Sequence, residues 1–415
     1  MLSYKKNARV FMAFCDETRL KVLNLLRNGE KSLGALLTQV DVSQSTLSHH
    51  MKILVDSGVV AMRKVGKRSY YSICEKGGKQ AKEIIWQILE IKEFKYPGLL
   101  LPGEIYNIKE NLKMNSFKIM VDTSSDILPE FLIEHDIETL PITFELDGVV
   151  HNKGYWQEVS GKDFYNALRN GGIAKTQQIN PDTFHNIFIE YAKAGKDLVF
   201  LLLSGKLSAT YQSALIALKE VKEEYPDCNI FPIDSISASS GIWQLAAMVV
   251  KKRSEGLSAK EVADWVEEKK HRCCGLFTVD DLMYLHRGGR LSKIQAVAGS
   301  VLKMKPVLNI APDGSLALKG KTRGRKASLE LLTRQLKQSV NDGTKMDTIY
   351  IVHTDCTEDA EVFADMIRKA VDVQKIEIML MGPVIGAHVG PGAVAALYEA
   401  DFTREEYEAK ESGKN

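Results

Sequence analysis

The sequence predicts a multidomain chain in which a small helical head, closed by a β-hairpin, precedes a two-lobed α/β body. Three observations point there. Charge is split along the chain, with 17 Lys+Arg against 9 Asp+Glu in residues 1–95 and 38 against 44 in the remainder. Apolar residues recur at helical spacing through residues 10–57. From residue 117 onward, compact apolar runs alternate with helical stretches, the rhythm of a sheet covered by helices. At 415 residues the chain has room for two or three domains. The boundaries fall at 1–95 for the head, 96–116 for a linker, 117–275 and 276–405 for the lobes, and 406–415 for a polar tail.

The head begins with Val10, Phe14, Leu20, Val22, Leu23 and Leu26 on helical faces, interrupted at Cys15-Asp16-Glu17-Thr18, where a new helix can be capped. Gly29 ends it, and Leu33, Leu36 and Leu37 mark a short helix over 32–39. Ser43 is a good N-cap for a third helix over 43–57. On that helix Leu47, Met51 and Leu54 face inward, leaving Gln44, Ser45, Ser48, His49 and Lys52 outward. A short helix followed by one with an outward hydrogen-bonding face reads as a helix-turn-helix; the competing reading is a generic bundle with a solvated polar face. Strands over 59–63 and 69–73 then flank Val65-Gly66-Lys67-Arg68, a basic wing whose Arg63, Lys64, Lys67 and Arg68 would reach phosphates. A helix over 77–94, with Ala81, Ile84, Ile85, Ile88 and Ile91 on one stripe, either pairs with its copy or packs on its own domain.

The body opens with the strand Phe117-Lys118-Ile119-Met120-Val121 and the turn Asp122-Thr123-Ser124-Ser125-Asp126. Further strands are expected at 198–203, 230–234, 347–353 and 375–380, and a hairpin over 305–318 turns at Pro312-Asp313-Gly314. Helices are expected from about 208, over 239–253 and over 359–371. Two loops rich in small and hydroxyl residues stand out, 203–214 and 386–392, each able to let a backbone approach a ligand. In parallel α/β sheets such loops line the ligand crevice.

Composition narrows the function. Hydrophobic content of 45% and charged content of 26% are those of a soluble globular protein. No apolar run reaches the roughly 18 to 20 residues of a membrane span, so no integral membrane segment is expected. Met1-Leu2-Ser3-Tyr4-Lys5-Lys6 lacks a secretory apolar region, and the expected location is cytoplasmic. The six cysteines show no framework spacing, and Cys273-Cys274 has only His271 nearby as a further metal ligand. A hydrolase built on Ser208, His388 and an Asp lacks a Gly-x-Ser-x-Gly elbow, and no Walker or dinucleotide fingerprint follows a strand. The expectation is a binding protein without catalytic activity, cofactor or metal.

Two family resemblances sharpen this. Asp16-Glu17-Thr18-Arg19-Leu20, Ser43-Gln44-Ser45-Thr46-Leu47-Ser48-His49-His50-Met51 and the wing resemble the ArsR-type winged helix-turn-helix. That resemblance implies a homodimer on double-stranded DNA, with residues 43–52, Ser43 and Thr46 included, in the major groove. The stretch Ser32-Leu33-Gly34-Ala35-Leu36-Leu37 lacks the cysteine pair many such repressors carry, and Cys15 alone cannot build a metal site.

The body resembles the DegV family of fatty-acid-binding proteins. The resemblance rests on seven blocks in order, among them Val121-Asp122-Thr123-Ser124-Ser125-Asp126, Lys175-Thr176-Gln177-Gln178, Leu203-Ser204-Gly205-Lys206-Leu207-Ser208, His286-Arg287-Gly288-Gly289-Arg290-Leu291-Ser292 and the loop at His388. It implies two α/β lobes around a long acyl chain whose carboxylate meets Thr176 and Ser208, with Arg290 and His388 beside them. It also implies that Arg323 occupies a surface position that carriers in the family turn toward a fatty acid kinase subunit. Taken alone, Ser208 would cap its helix, Thr176 would sit in a turn and Arg290 would pair with Asp280 or Asp281. Asp122 and Asp126 read as loop organisers. The chain departs from the family at Gln177 and at Ala209, either of which could reshape the head-group site. The leading expectation is a transcriptional regulator that couples acyl-ligand occupancy to operator binding. The alternative is a carrier that presents acyl chains to the kinase, with the head used for dimerisation or docking.

Overall fold

The computed structural model describes residues 10–27, 29–66, 68–74, 76–78, 81, 117–153, 156–291, 304–411 and 413. The chain divides into two compact units, Met1–Leu101 and Pro102–Asn415. The expected linker over 96–116 and most of the helix over 77–94 lie outside the described residues.

In the first unit α1 (Glu17–Leu26) starts at Asp16, whose side chain accepts from the Arg19 amide. Strand β1 (Lys31–Ser32) leads into α2 (Leu33–Leu37), capped by Ser32. Helix α3 (Gln44–Asp56) is capped by Ser43, whose Oγ accepts from the Thr46 amide at 3.1 Å. Strands β2 (Val60–Val65) and β3 (Arg68–Ile73) pair antiparallel, and β1 adds to β3. Val22, Leu26, Leu36, Leu47, Met51 and Leu54 form the core. Helix α1 begins at Glu17, at the expected interruption, and within it Arg19 turns inward while Leu20, 48% exposed, turns outward.

The second unit holds two larger sheets and a small one. In lobe one, β4 (Lys118–Asp122), β5 (Ile137–Leu140), β9 (Leu198–Leu202) and β10 (Ile230–Asp234) form a parallel sheet in the order β10-β9-β4-β5. The buried run of β9 is apolar throughout, as a strand covered on both faces must be. Helices α4 (Pro129–Glu134), α6 (Pro181–Lys193), α7 (Thr210–Glu224), α8 (Ser240–Ser254) and α9 (Ala259–Lys269) belong to this lobe. Between them in the chain, β6 (Phe144–Leu146), β7 (Val149–His151) and β8 (Ala174–Thr176) make the small antiparallel sheet around α5 (Gly161–Arg169).

Lobe two is a six-stranded sheet in the order β13-β12-β11-β16-β14-β15. Its strands are β11 (Cys273–Thr278), β12 (Met304–Ile310), β13 (Leu316–Arg323), β14 (Lys345–His353), β15 (Asp372–Leu380) and β16 (Val394–Glu399). Its helices are α10 (Met283–Arg287), α11 (Arg325–Gln338), α12 (Thr357–Ala370), α13 (Pro383–Val389) and α14 (Arg404–Glu411). The sheet is mixed: only β14 and β15 run parallel. Strand alternation divides its side chains. Phe277, Leu308, Ile310, Val352, Ala395 and Leu397 join the core shared with lobe one, while Leu276, Val307, Ile349, Ile351 and Ala396 pack with Leu332, Phe363 and Ile367 of α11 and α12. Cys273 and Cys274, neighbours in β11, fall in different cores and do not point at a common site.

Two boundaries move. Strand β11 straddles the expected break at 275/276, so the second lobe starts ahead of Cys273. The tail expected over 406–415 is in part helix α14, with Tyr407 7% exposed. Its first residue explains why it docks. Arg404, 3% exposed, donates through Nε to Cys273 O at 2.8 Å and through Nη1 to Ile236 O at 2.7 Å and Ala311 O at 3.1 Å. One guanidinium thereby satisfies carbonyls from both lobes. Arg404→Met should cost on the order of 3 kcal/mol by leaving these carbonyls dry and unpaired. The check is a lower denaturant midpoint at unchanged slope.

Candidate functional site

Where β9 stops, residues 203–209 cross the top of the sheet. Polar groups pin this loop: Leu203 N donates to Asp122 Oδ2 at 2.7 Å, Gly205 N to Asp234 Oδ2 at 3.1 Å, and Ser204 Oγ to Gly314 O in lobe two at 2.9 Å. The loop ends in Ser208, whose Oγ is 2.9 Å from Thr210 Oγ1 and accepts weakly from Thr210 N. Ser208 thus serves the first turn of α7 while also lining the cavity.

Opposite stands α13. The expected loop over 386–392 is helical through Val389, delimited by Pro383 at its start and by Gly390 at φ +72. His388 therefore projects from a helix, and its Nε2 shares a 2.8 Å hydrogen bond with Thr176 Oγ1 at the end of β8. Gly288 makes room for the ring, since a Cβ there would stand 2.2 Å from His388 Nδ1. Burial, helped by the nearby Arg290 charge, pushes the His388 pKa down to about 4, so the imidazole is neutral near pH 7.

Arg290 completes the group. Its Nε donates to Leu207 O at 2.8 Å and its Nη1 to Gly288 O. The expected fallback, pairing with Asp280 or Asp281, does not occur. Asp280 is held by Lys305 at 2.6 Å and by Arg325, and Asp281 accepts from Met283 N at 2.8 Å. Arg290 has no carboxylate partner among the described residues, and burial lowers its pKa. Thr176, Ser208, Arg290 and His388 all line one cavity between the lobes, of about 880 Å³ with its open mouth included. Among the described residues Arg290 is the one charged residue in the lining; Leu203, Phe277, Ile310, Val352, Val384 and Leu397 are typical of the rest. Of the two departures, Gln177 is an exposed lining residue, whereas Ala209 is absent from the lining.

Asp122 and Asp126 act as organisers. Asp122 accepts from Ser124 N at 2.9 Å as well as from Leu203 N. Asp126 accepts from Ser239 Oγ and from Gly382 N at 3.0 Å, tying the starts of α8 and α13 together, and burial raises its pKa to about 7. Ser239 lines the cavity and was not among the expected site residues; it carries φ 55 without being glycine. The only hint was the serine-rich run Ser235-Ile236-Ser237-Ala238-Ser239-Ser240 after a strand.

In the first unit Ser43, Gln44, Ser45, Thr46, Ser48, His49 and Lys52 are all exposed on or beside α3, leaving one continuous polar face. Lys64 is exposed on the wing. Arg63 is less available than expected: its Nε donates to Glu30 Oε1 at 2.7 Å and its guanidinium lies 5.2 Å from the Tyr70 ring. Lys67 and the Arg68 side chain lie outside the described residues. Arg323 ends β13 and is exposed. Among the described residues, no group of three or more His, Cys, Asp or Glu is placed to hold a metal ion. No described helix is long and apolar enough to cross a membrane.

The two buried titrations have opposite signs. His388 falls from 6.5 unfolded to about 4 folded, so the unfolded chain binds more protons in that window and stability rises with pH. Asp126 climbs from 3.8 to about 7, so the folded state binds more protons and stability falls with pH. The stability gap between the parent and His388→Asn should therefore widen from pH 4 to 6.5. The gap to Asp126→Asn should narrow from pH 4 to 7, both read by denaturant titration at each pH.

Comparison with known proteins identifies the families of both parts of the chain. Residues 116–401 match the family described as an uncharacterised protein of the DegV family, and residues 16–61 match the bacterial regulatory protein, arsR family. A DegV domain-containing protein of Clostridium perfringens is 38% identical over 69% of this chain and 99% of its own length. One from Streptococcus pyogenes is 34% identical over 68% and 97%. Among solved structures, a DegV lipid-binding protein from Thermotoga maritima is 29% identical, with TM-score 0.61, over 69% of this chain and 99% of its own. A second Thermotoga maritima protein, described as revealing a fatty acid binding function, is 30% identical with TM-score 0.60 over 69% and 99%. A fatty-acid-binding DegV family protein from Streptococcus agalactiae is 26% identical with TM-score 0.62 over 69% and 100%. The chain thus belongs to the DegV family, and it carries an arsR-type helix-turn-helix ahead of its DegV body.

Proposed function

We propose that this protein is a transcriptional regulator whose effector is a long-chain fatty acid. The observation that carries the ligand is Arg290: among the described residues, a partly buried cation without a counter-ion and the one charged group lining the cavity. A fatty acid carboxylate supplies that counter-ion, with the Thr176 and Ser208 hydroxyls as further donors and the neutral His388 ring orienting Thr176. The apolar remainder takes the acyl tail. At about 0.8 kcal/mol per buried methylene a long chain contributes on the order of 10 kcal/mol gross, before ordering and association costs. The T. maritima and S. agalactiae relatives, described as binding lipid or fatty acid, support the same ligand class.

The exposed face of α3 and the basic wing support double-stranded DNA as the second partner, read by a homodimer in the cytoplasm. Acyl occupancy would alter operator affinity by a coupling of about 1 to 3 kcal/mol, and DNA would alter acyl affinity by the same factor. A second reading, a carrier that presents acyl chains to a fatty acid kinase, is favoured by one observation: Arg323 is exposed at the end of β13. Kinase turnover with this protein as acyl donor, lost on Arg323→Glu, would support it.

Solvent extraction of the purified protein followed by mass spectrometry should release fatty acid from the parent protein. Much less should come from folded Arg290→Met or from Thr176→Ala/Ser208→Ala; equal release from all three rejects the head-group assignment. Operator affinity should differ about 5-fold or more between lipid-free and lipid-loaded protein, and equal affinities reject the sensor. Lys64→Ala should weaken binding to all sequences alike and reduce the salt slope by about one, whereas Gln44→Ala or His49→Ala should change sequence preference.

A further inference from the structure

A second cleft opens along the same helix that borders the acyl cavity. It lies between the later turns of α8, the face of α9 carrying Trp265 and Lys269, and the strands β14 and β16, and it encloses about 890 Å³ with its open side included. It shares no lining residue with the acyl cavity, which reaches α8 only through Ser239 just ahead of its first turn. Gln244, Ala247, Met248 and Lys251 stand at i, i+3, i+4 and i+7 on one stripe of α8 facing into it.

Gln244 is the anomaly. Its side chain is 4% exposed, yet its Oε1 has no hydrogen-bond partner among the described residues. An unpaired buried acceptor costs about 1 to 3 kcal/mol, and an apolar residue would pack this helix without that cost. The position makes sense if a guest brings an N–H or O–H to the carboxamide. Charge narrows the guest further. Lys251, Lys252 and Lys269 line the cleft against Asp347 and Glu399, a net surplus of one positive charge. Lys252 is tied to Glu255 at 2.7 Å and Lys269 is paired with Glu399, whereas Lys251 is exposed with no ion partner among the described residues. The polar residues share the lining with apolar ones: the Trp265 ring, already 5.3 Å from Lys252 Nζ, the Tyr350 ring, and Met248 and Met346. We propose that this cleft is a second small-molecule site, for an aromatic monoanion with a ring donor that Gln244 reads and a carboxylate that Lys251 meets.

Indole-3-acetate, with a carboxylate and a ring N–H, and 1-naphthylacetate, of similar shape without the donor, test this on the full-length protein. Calorimetry and saturation-transfer NMR should show saturable binding of indole-3-acetate, tighter than of 1-naphthylacetate, and undiminished when the protein is preloaded with oleate. Lys251→Glu, a surface change, should weaken both probes roughly tenfold, and Gln244→Leu should erase the difference between them. Should Gln244→Leu fail to fold, the Lys251→Glu result and the two-probe comparison on the parent protein still decide. The proposal is overturned by no saturable binding at low millimolar probe, by displacement with oleate, or by equal affinity of Lys251→Glu and the parent protein.

Discussion

Helix α8 is the constraint on which the body depends. Every residue from Ser240 to Ala246 is buried, with Val249 a turn further on, so the helix has no solvent face over its first two turns. A helix apolar or small on all sides has to be covered on all sides, and here the covers are the two large sheets. Trp243 marks the arrangement, with its ring 5.6 Å from Phe131 of lobe one and 5.5 Å from Tyr350 of lobe two. Gly241 marks its tightness, since a Cβ there would stand 2.1 Å from Ser237 Oγ. The lobes meet around this helix, and two open spaces border it: the cavity that carries Arg290 lies by Ser239, just ahead of its first turn, and the cleft at Gln244 runs along its later residues.

Two arginines at this junction illustrate what distinguishes a structural cation from a binding one. Arg404 is almost fully buried, and four of its five guanidinium N–H donors meet carbonyls of Cys273, Ile236 and Ala311. It lines neither the cavity nor the cleft. Arg290 spends donors on Leu207 O and Gly288 O, which fix its position, but carbonyl dipoles do not neutralise its charge. The neutral imidazole beside it cannot do so either, and by staying neutral it avoids adding a second desolvated cation. Preorganised donors around a cation that has no carboxylate partner among the described residues are what a carboxylate site requires.

Much of the fold was legible in the sequence because the signals were local. Ser43 caps α3 as its position before Gln44 and the Leu47, Met51, Leu54 stripe implies, and Pro312-Asp313-Gly314 turns the β12–β13 hairpin. The site was legible in part: motif resemblance placed Thr176, Ser208, Arg290 and His388, and the cavity brings all four together. The misreadings arose where long-range contacts decide. Gly386, Gly390 and Gly392 read as a loop, yet Pro383 starts a helix that carries through Val389. The ion pair of Arg63 with Glu30, 33 residues away, was likewise invisible in a local pattern. The 406–415 segment read as a polar tail because nothing in its composition announces that Arg404 has three buried carbonyls to meet. Ser239 and Gln244 were missed because each matters only through what the fold puts opposite it.

The division of charge gives the proposed regulator its economy. The basic surplus sits in the first 95 residues and the mild acidic surplus in the rest, so polyanion attraction acts on the head without drawing the body onto DNA. A largely apolar cavity with one cation binds an acyl tail chiefly by desolvation of apolar surface, which salt barely affects, whereas phosphate contacts weaken steeply with salt. The two partners are therefore recognised by forces that scarcely interfere. Coupling between them needs only 1 to 3 kcal/mol, a small part of the gross energy an acyl tail brings. Differential contact at a few groups is sufficient for that, and within the body Asp126 joins two elements that border the cavity. It ties the start of α8, beside the cavity, to Gly382 at the start of the helix that carries His388, so displacing either helix start strains the same buried carboxyl.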